Sequence, residues 1–157
     1  MPIKEASLEL DGEQATATLG RALARALDPG AVVLLYGDLG AGKTVLARGL
    51  ARGLGVDQAY AIVSPTFTLL NVYPGRTRFY HADLYRLQEG EAAELELLDQ
   101  AADGVLAVEW AERGRGLWPA EGIEVELTIV DLDRRRADLR GPADRVGRVV
   151  DYCKRML

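Results

Sequence analysis

The sequence predicts an α/β fold: a mostly parallel sheet with helices on both faces and an antiparallel hairpin near the C-terminal end. Three observations carry this. Segments of strand and helix character alternate along the chain, the order that yields parallel pairing. Ala31–Tyr36 (AVVLLY) is apolar at every position, as a central strand covered on both faces requires. A glycine-rich segment, GDLGAGKT, joins that run to an amphipathic stretch. With 157 residues the chain has enough length for one domain with a real core and not for two.

Taken in order, residues 2–10 read as a short strand. Asp11 and Gln14 have capping-box spacing, and Leu19, Leu23, Ala26 and Leu27 recur at helical intervals until Asp28-Pro29-Gly30 stops them. Leu46, Leu50 and Leu54 form the stripe of a second helix, from about Lys43 to Leu54. Residues 60–73 begin as a polar Ser-Pro-Thr loop and become apolar before the turn at Pro74-Gly75. Thr77–His81 reads as a strand ending at Asp83, and residues 89–99 as an acidic helix. Gly104–Trp110 reads as a second buried strand. Ile123–Val130 alternates like a half-buried strand, Arg135–Leu139 returns beside it, and Ala143–Met156 is helical.

Gly37, Gly42, Lys43 and Thr44 complete the pattern G-x-x-x-x-G-K-[ST], set between the apolar strand and the second helix. Glycines at these positions let the backbone of Gly37, Asp38, Leu39, Gly40, Ala41 and Gly42 curl, so that its N–H groups face a phosphate. The helix start adds the positive end of its dipole. Lys43 is then expected to reach the β- and γ-phosphates and Thr44 to bind Mg²⁺. The chain has sixteen arginines and three lysines, yet this position holds lysine, which suits a compact charge among phosphates. The fold expected is therefore the three-layer sandwich of P-loop NTPases. The only asparagine, Asn71, lies in no N-K-x-D base-reading motif, which favours ATP over GTP.

A nucleotide site of this kind needs carboxylates at the ends of neighbouring strands. Asp83 and Glu109 stand there. Asp83 fits either a metal- or water-positioning acid or a helix N-cap, and Glu109 either a metal-side acid or a solvated residue. Ser64–Thr68 fits a simple turn or a switch-like loop, Arg134–Arg136 a solvated turn, an RNA patch or a nucleotide clamp. His81 and Trp110 read first as structural residues.

Composition narrows the class. One cysteine, Cys153, forbids an internal disulfide, and one histidine forbids a His/Cys zinc site. The longest apolar run is too short for a membrane span, and MPIKEAS lacks the apolar stretch of a signal peptide. A cytoplasmic protein is expected. The net charge of −5 argues against gripping RNA or DNA unaided.

Five segments, in order, resemble the TsaE (YjeE-type) family of bacterial tRNA threonylcarbamoyladenosine biosynthesis ATPases. They are Glu13-Gln14-Ala15-Thr16, the glycine loop, Ser64-Pro65-Thr66-Phe67-Thr68, His81-Ala82-Asp83-Leu84-Tyr85-Arg86 and Val108-Glu109-Trp110. The resemblance implies catalytic roles for Lys43, Asp83 and Glu109, and metal contacts from Thr44, Glu109 and Asp83. It also implies base-side contacts from Glu13 and Thr16, and from Arg134, where Asp133-Arg134 replaces the family's glycine-arginine turn. It further implies an ATPase acting on a complex of TsaD-type and TsaB-type proteins, with tRNA reached only through them. A small-molecule kinase and an ATP-dependent binding module without turnover are the rival readings.

Overall fold

The computed structural model describes all 157 residues. Its strands are β1 (Ile3–Asp11), β2 (Val32–Tyr36), β3 (Leu70–Tyr73), β4 (Arg78–Asp83), β5 (Gly104–Glu109), β6 (Ile123–Ile129) and β7 (Arg134–Pro142). Its α-helices are α1 (Gly12–Ala26), α2 (Lys43–Gly53), α3 (Leu97–Gln100) and α4 (Ala143–Met156), with 3₁₀ turns at Glu91–Leu95 and Ala111–Gly114. One sheet takes all seven strands in the order β1-β7-β6-β2-β5-β4-β3.

The centre is parallel: β2 pairs with β5 and β6, and β5 with β4. Both margins are antiparallel. The expected C-terminal hairpin is β6–β7, and β1 pairs with β7 along its whole length. The apolar stretch before Pro74 is β3, a second hairpin with β4.

The pleat sends alternate residues of β2 to opposite cores. Val33 and Leu35 join Val105, Ala107, Phe79 and the faces of α1, α2 and α4. Val32 and Leu34 join Tyr80, Ala82, Leu106 and Val108 under Leu84, Leu87, Leu97 and Ala111. Long helices therefore cover one face and short turns the other. The helix expected over residues 89–99 is in fact a 3₁₀ turn and a four-residue helix, because Glu96 between them adopts a left-handed conformation (φ 50°). Ala92 and Leu97 are the residues there buried against the sheet.

The antiparallel half keeps its second face polar, as such sheets can. Arg140 bridges Glu5 and Glu124 across three strands, and Ser7 donates to Asp138. Asp11 occupies the N-cap of α1 without a side-chain cap bond, so the capping box does not form. The end of α1's preceding strand is tied instead by the Gly12 amide, which donates to the Asp133 carbonyl at 2.7 Å.

Helices α1 and α2 pack backbone to backbone. A Cβ added at Gly49 would stand 2.1 Å from the carbonyl oxygen of Ala17, and no side-chain motion relieves a clash with backbone. Gly49→Ala is expected to destabilise the fold by roughly 1–3 kcal/mol, the range of overpacked cores. An unchanged urea midpoint would show that the helices separate freely.

Candidate functional site

The parallel register brings the ends of β2, β4 and β5 level. Leu35 and Asp83 are both register partners of Glu109. Neighbouring strands lie about 4.8 Å apart, so two carboxylates at aligned strand ends are forced close together. The glycine loop leaves β2 at this same edge and α2 begins over it. Gly42 is the N-cap of α2 with φ 110°, a conformation that L side chains rarely adopt, and this turn aims Lys43 and Thr44 at the strand ends.

Lys43 is buried. Its Nζ donates to the carbonyls of Gly37 (2.5 Å) and Asp38 (3.0 Å) and lies 4.1 Å from the centre of the Trp110 ring. Burial pushes its pKa below the ordinary lysine value, and the negative charges of Glu109, Glu112, Asp83 and Asp38 oppose that shift. Trp110 holds a left-handed backbone conformation (φ 57°), and its ring also packs on Tyr85 at 4.9 Å. Such a conformation is costly for a bulky residue and gathers at functional sites.

The Thr44 hydroxyl donates to the Glu109 carboxylate, with Oε1 at 3.2 Å and Oε2 at 3.1 Å. Glu109 is 3% exposed, and its Oε2 lies 2.6 Å from Nε2 of the fully buried His81. Asp83, equally buried, accepts from the hydroxyls of Ser64 and Thr66 through Oδ2 and from the Tyr85 amide through Oδ1. The Ser-Pro-Thr loop is thus fastened to the strand end by its own hydroxyls, and Asp83 also caps the turn that follows it.

These groups share a pocket of about 700 Å³ whose walls include Thr16, Glu13, Lys43, Thr44, Asp83, Glu109 and Trp110. Thr16 stands behind the loop, its methyl 3.5 Å from where a Cβ on Gly42 would lie. Arg134 is elsewhere. It turns to Asp131, 2.6 Å away, on the exposed hairpin tip, while Arg135 lines the pocket and donates to the Gly40 carbonyl at 3.2 Å. Successive residues of β7 face opposite sides of the sheet, so only one of the two arginines can reach the pocket. A larger concavity, about 940 Å³, lies on the polar face of β1, β7 and β6. It holds none of the strand-end groups, and Arg140, Asp138 and Glu5 on its wall are already paired with one another or with neighbours, so the smaller pocket is the functional candidate.

His81 is the residue that sequence reading underrated. The signal was present: in a strand, His81-Ala82-Asp83 puts the histidine and the aspartate on one face. Trp118, by contrast, is structural, donating from its indole to the Ala111 carbonyl at 2.9 Å.

The family model for the threonylcarbamoyl adenosine biosynthesis protein TsaE matches residues 10–137. The chain belongs to the TsaE family. Among curated relatives named tRNA threonylcarbamoyladenosine biosynthesis protein TsaE, that of Nostoc sp. is 43% identical over 136 residues, covering 83% of this chain and 82% of its own. That of Treponema pallidum is 42% identical over 123 residues, covering 74% and 87%. The crystal structure of Bacillus subtilis YdiB superposes with a TM-score of 0.77 at 28% identity, over 99% of this chain and 98% of that one. The superposition covers nearly all of this chain, so it takes in the antiparallel strands at both margins of the sheet as well as the parallel centre. No helix of this TsaE-family chain is long and apolar enough to cross a membrane.

Proposed function

We propose that this chain is the cytoplasmic ATP-binding and ATP-hydrolysing subunit of a system that installs threonylcarbamoyladenosine next to the anticodon of tRNA. In this reading it acts on a complex of TsaB-type and TsaD-type proteins and does not perform the transfer. The observation that carries it is the convergence of Lys43, Thr44, Glu109 and Asp83 on one pocket beside a glycine loop, in a TsaE-family chain.

The chemistry follows from the donors. Backbone amides of residues 38–43 and the start of α2 favour phosphate oxygens, and Lys43 supplies the fixed positive charge. Thr44 and the two carboxylates are hard oxygen donors, the set Mg²⁺ prefers. Mg²⁺ usually keeps several waters and takes one or two carboxylates plus phosphate oxygens, so two protein donors suffice here. Thr44 and Glu109 would hold the Mg²⁺, and when bound it would neutralise charge on the phosphate oxygens. Asp83 is the candidate to orient the attacking water, and its bonds to Ser64 and Thr66 couple that role to the loop. Glu13, Thr16 and Arg135 line the same pocket, and the nucleoside would lie against them.

The partner dependence has its own support. Leu39, Phe67 and Leu132 are 81%, 83% and 90% exposed. Leu39 and Leu132 line the pocket and Phe67 follows its Thr66. Apolar side chains held out around a pocket mouth are candidates for protein contact. The net charge of −5 gives tRNA little general attraction.

Lys43→Ala is expected to weaken ATP binding roughly 10- to 100-fold, the loss of charge-assisted bonds worth about 1.5–3 kcal/mol, and to lower the melting temperature modestly without unfolding the chain, since the buried ammonium also leaves the Gly37 and Asp38 carbonyls and the Trp110 ring. Unaltered affinity by calorimetry would sink the cradle assignment. Glu109→Ala and Asp83→Ala should each cut turnover on the order of 10²-fold and leave nucleotide affinity less affected. Normal phosphate release from both, measured with the partner complex present, would remove the carboxylates from catalysis. The chain alone should hydrolyse ATP slowly and be strongly stimulated by TsaB- and TsaD-type partners. Full turnover in isolation would refute that gating, tight salt-sensitive tRNA binding by the lone chain would refute its indirect contact with RNA, and phosphate transferred to a small acceptor would mark a kinase.

A further inference from the structure

His81 touches neither the pocket nor solvent, yet its Nε2 lies 2.6 Å from Oε2 of Glu109. We infer that His81 is a positioning residue: it holds the Glu109 carboxylate in the orientation that lets Glu109 and Thr44 capture a divalent cation at the strand ends. The inference rests on the nucleotide and metal reading above and deepens it.

Three observations carry it. First, His81 is fully buried, and Nδ1 has no hydrogen-bond partner. A buried polar atom without a partner carries a cost, so this ring is not explained by packing alone. Its single polar contact is Glu109, and a carboxylate can only accept, so Nε2 carries the proton and donates. Second, stacking holds the plane of the ring. It stacks on Phe79 at 5.7 Å with an interplanar angle of 25°, and Phe79 stacks in turn on Tyr73 at 6.0 Å. Third, Glu109 is gripped from two separate elements. His81 approaches from β4, and the Thr44 hydroxyl approaches from the first turn of α2. A hydroxyl that donates its proton to Glu109 leaves its oxygen lone pairs free for a cation. Holding the carboxylate therefore also holds the hydroxyl bonded to it.

Residues that orient metal-side groups in this way typically change metal affinity by about 10- to 100-fold when lost. The test uses the full chain and a fluorescent ATP analogue, titrated with Mg²⁺ and separately in EDTA. His81→Phe keeps the aromatic stack and removes the donor. His81→Gln places an N–H where Nε2 was, and His81→Asn places one near Nδ1, out of reach of Glu109. The Phe and Asn variants are expected to raise the Mg²⁺ concentration for half-saturation about 10-fold or more, and to keep the wild-type affinity in EDTA. The Gln variant should recover most of the wild-type Mg²⁺ response. In a Glu109→Gln background, His81→Phe should add no further effect.

Three results would overturn the inference: an unchanged Mg²⁺ response in all variants, equal loss in Gln and Asn, or a His81→Phe effect that persists in full without the Glu109 carboxylate. Should His81→Phe fail to fold, the Gln–Asn comparison decides alone. Wild-type protein that binds no nucleotide, or binds it without regard to Mg²⁺, overturns the nucleotide reading itself. Normal Mg²⁺-dependent binding with silent variants overturns only the role of His81.

Discussion

A buried carboxylate is tolerated only where donors meet it, and Glu109 is the carboxylate on which this structure turns. Its donors come from elements far apart in sequence: Thr44 from the first turn of α2 and His81 from β4. Both arrive only if β2, β5 and β4 run parallel in the observed register and the glycine loop closes tightly over their ends. A slip of β4 by one residue would turn His81 and Asp83 to the opposite face and leave Glu109 half satisfied. The polar end of the sheet thus fixes the register that the apolar centre, a nearly uniform run of Val, Leu and Ala, specifies less sharply.

The sheet is asymmetric about that centre. Four parallel strands need cover on both faces, and three long helices on one side with short turns on the other supply it. The antiparallel strands need cover on one face only, and their other face is a lattice of ion pairs. This division frees the strand-end edge for chemistry. The long helices pack behind it, and the loops that reach over it come from both halves of the sheet.

What could be read in the sequence was what depends on local pattern. The strand–loop–helix around Lys43, the carboxylates at the ends of two apolar strands and the two long N-terminal helices all follow from spacing that the fold retains. What could not be read depends on register and on the unusual conformation of single residues. Whether Arg134 or Arg135 faces the pocket is set by the pairing of β7 with β6, and neither residue type nor charge distinguishes them. The broken helix at residues 89–100 turns on Glu96 adopting a positive φ, which a good helix-former does not announce. Strand β3 was hidden because four residues carry too little alternation to separate strand from loop. His81 was legible as a position and not as a role, since its partner lies on a strand whose register only the fold supplies.

In the nucleotide reading proposed above, the contacts of Lys43 bear on how a ligand would leave. Its ammonium group already holds two carbonyls of the glycine loop and the face of Trp110. An anion entering the cradle competes with these internal partners, so part of its attraction is offset by what the lysine must give up. Because the lysine can return to the carbonyls and the indole, the anion's departure strands no unpaired charge in a buried site. The loop is in this sense its own competitor, and in that reading such a cradle would release an anion more readily than one whose lysine had no partners of its own.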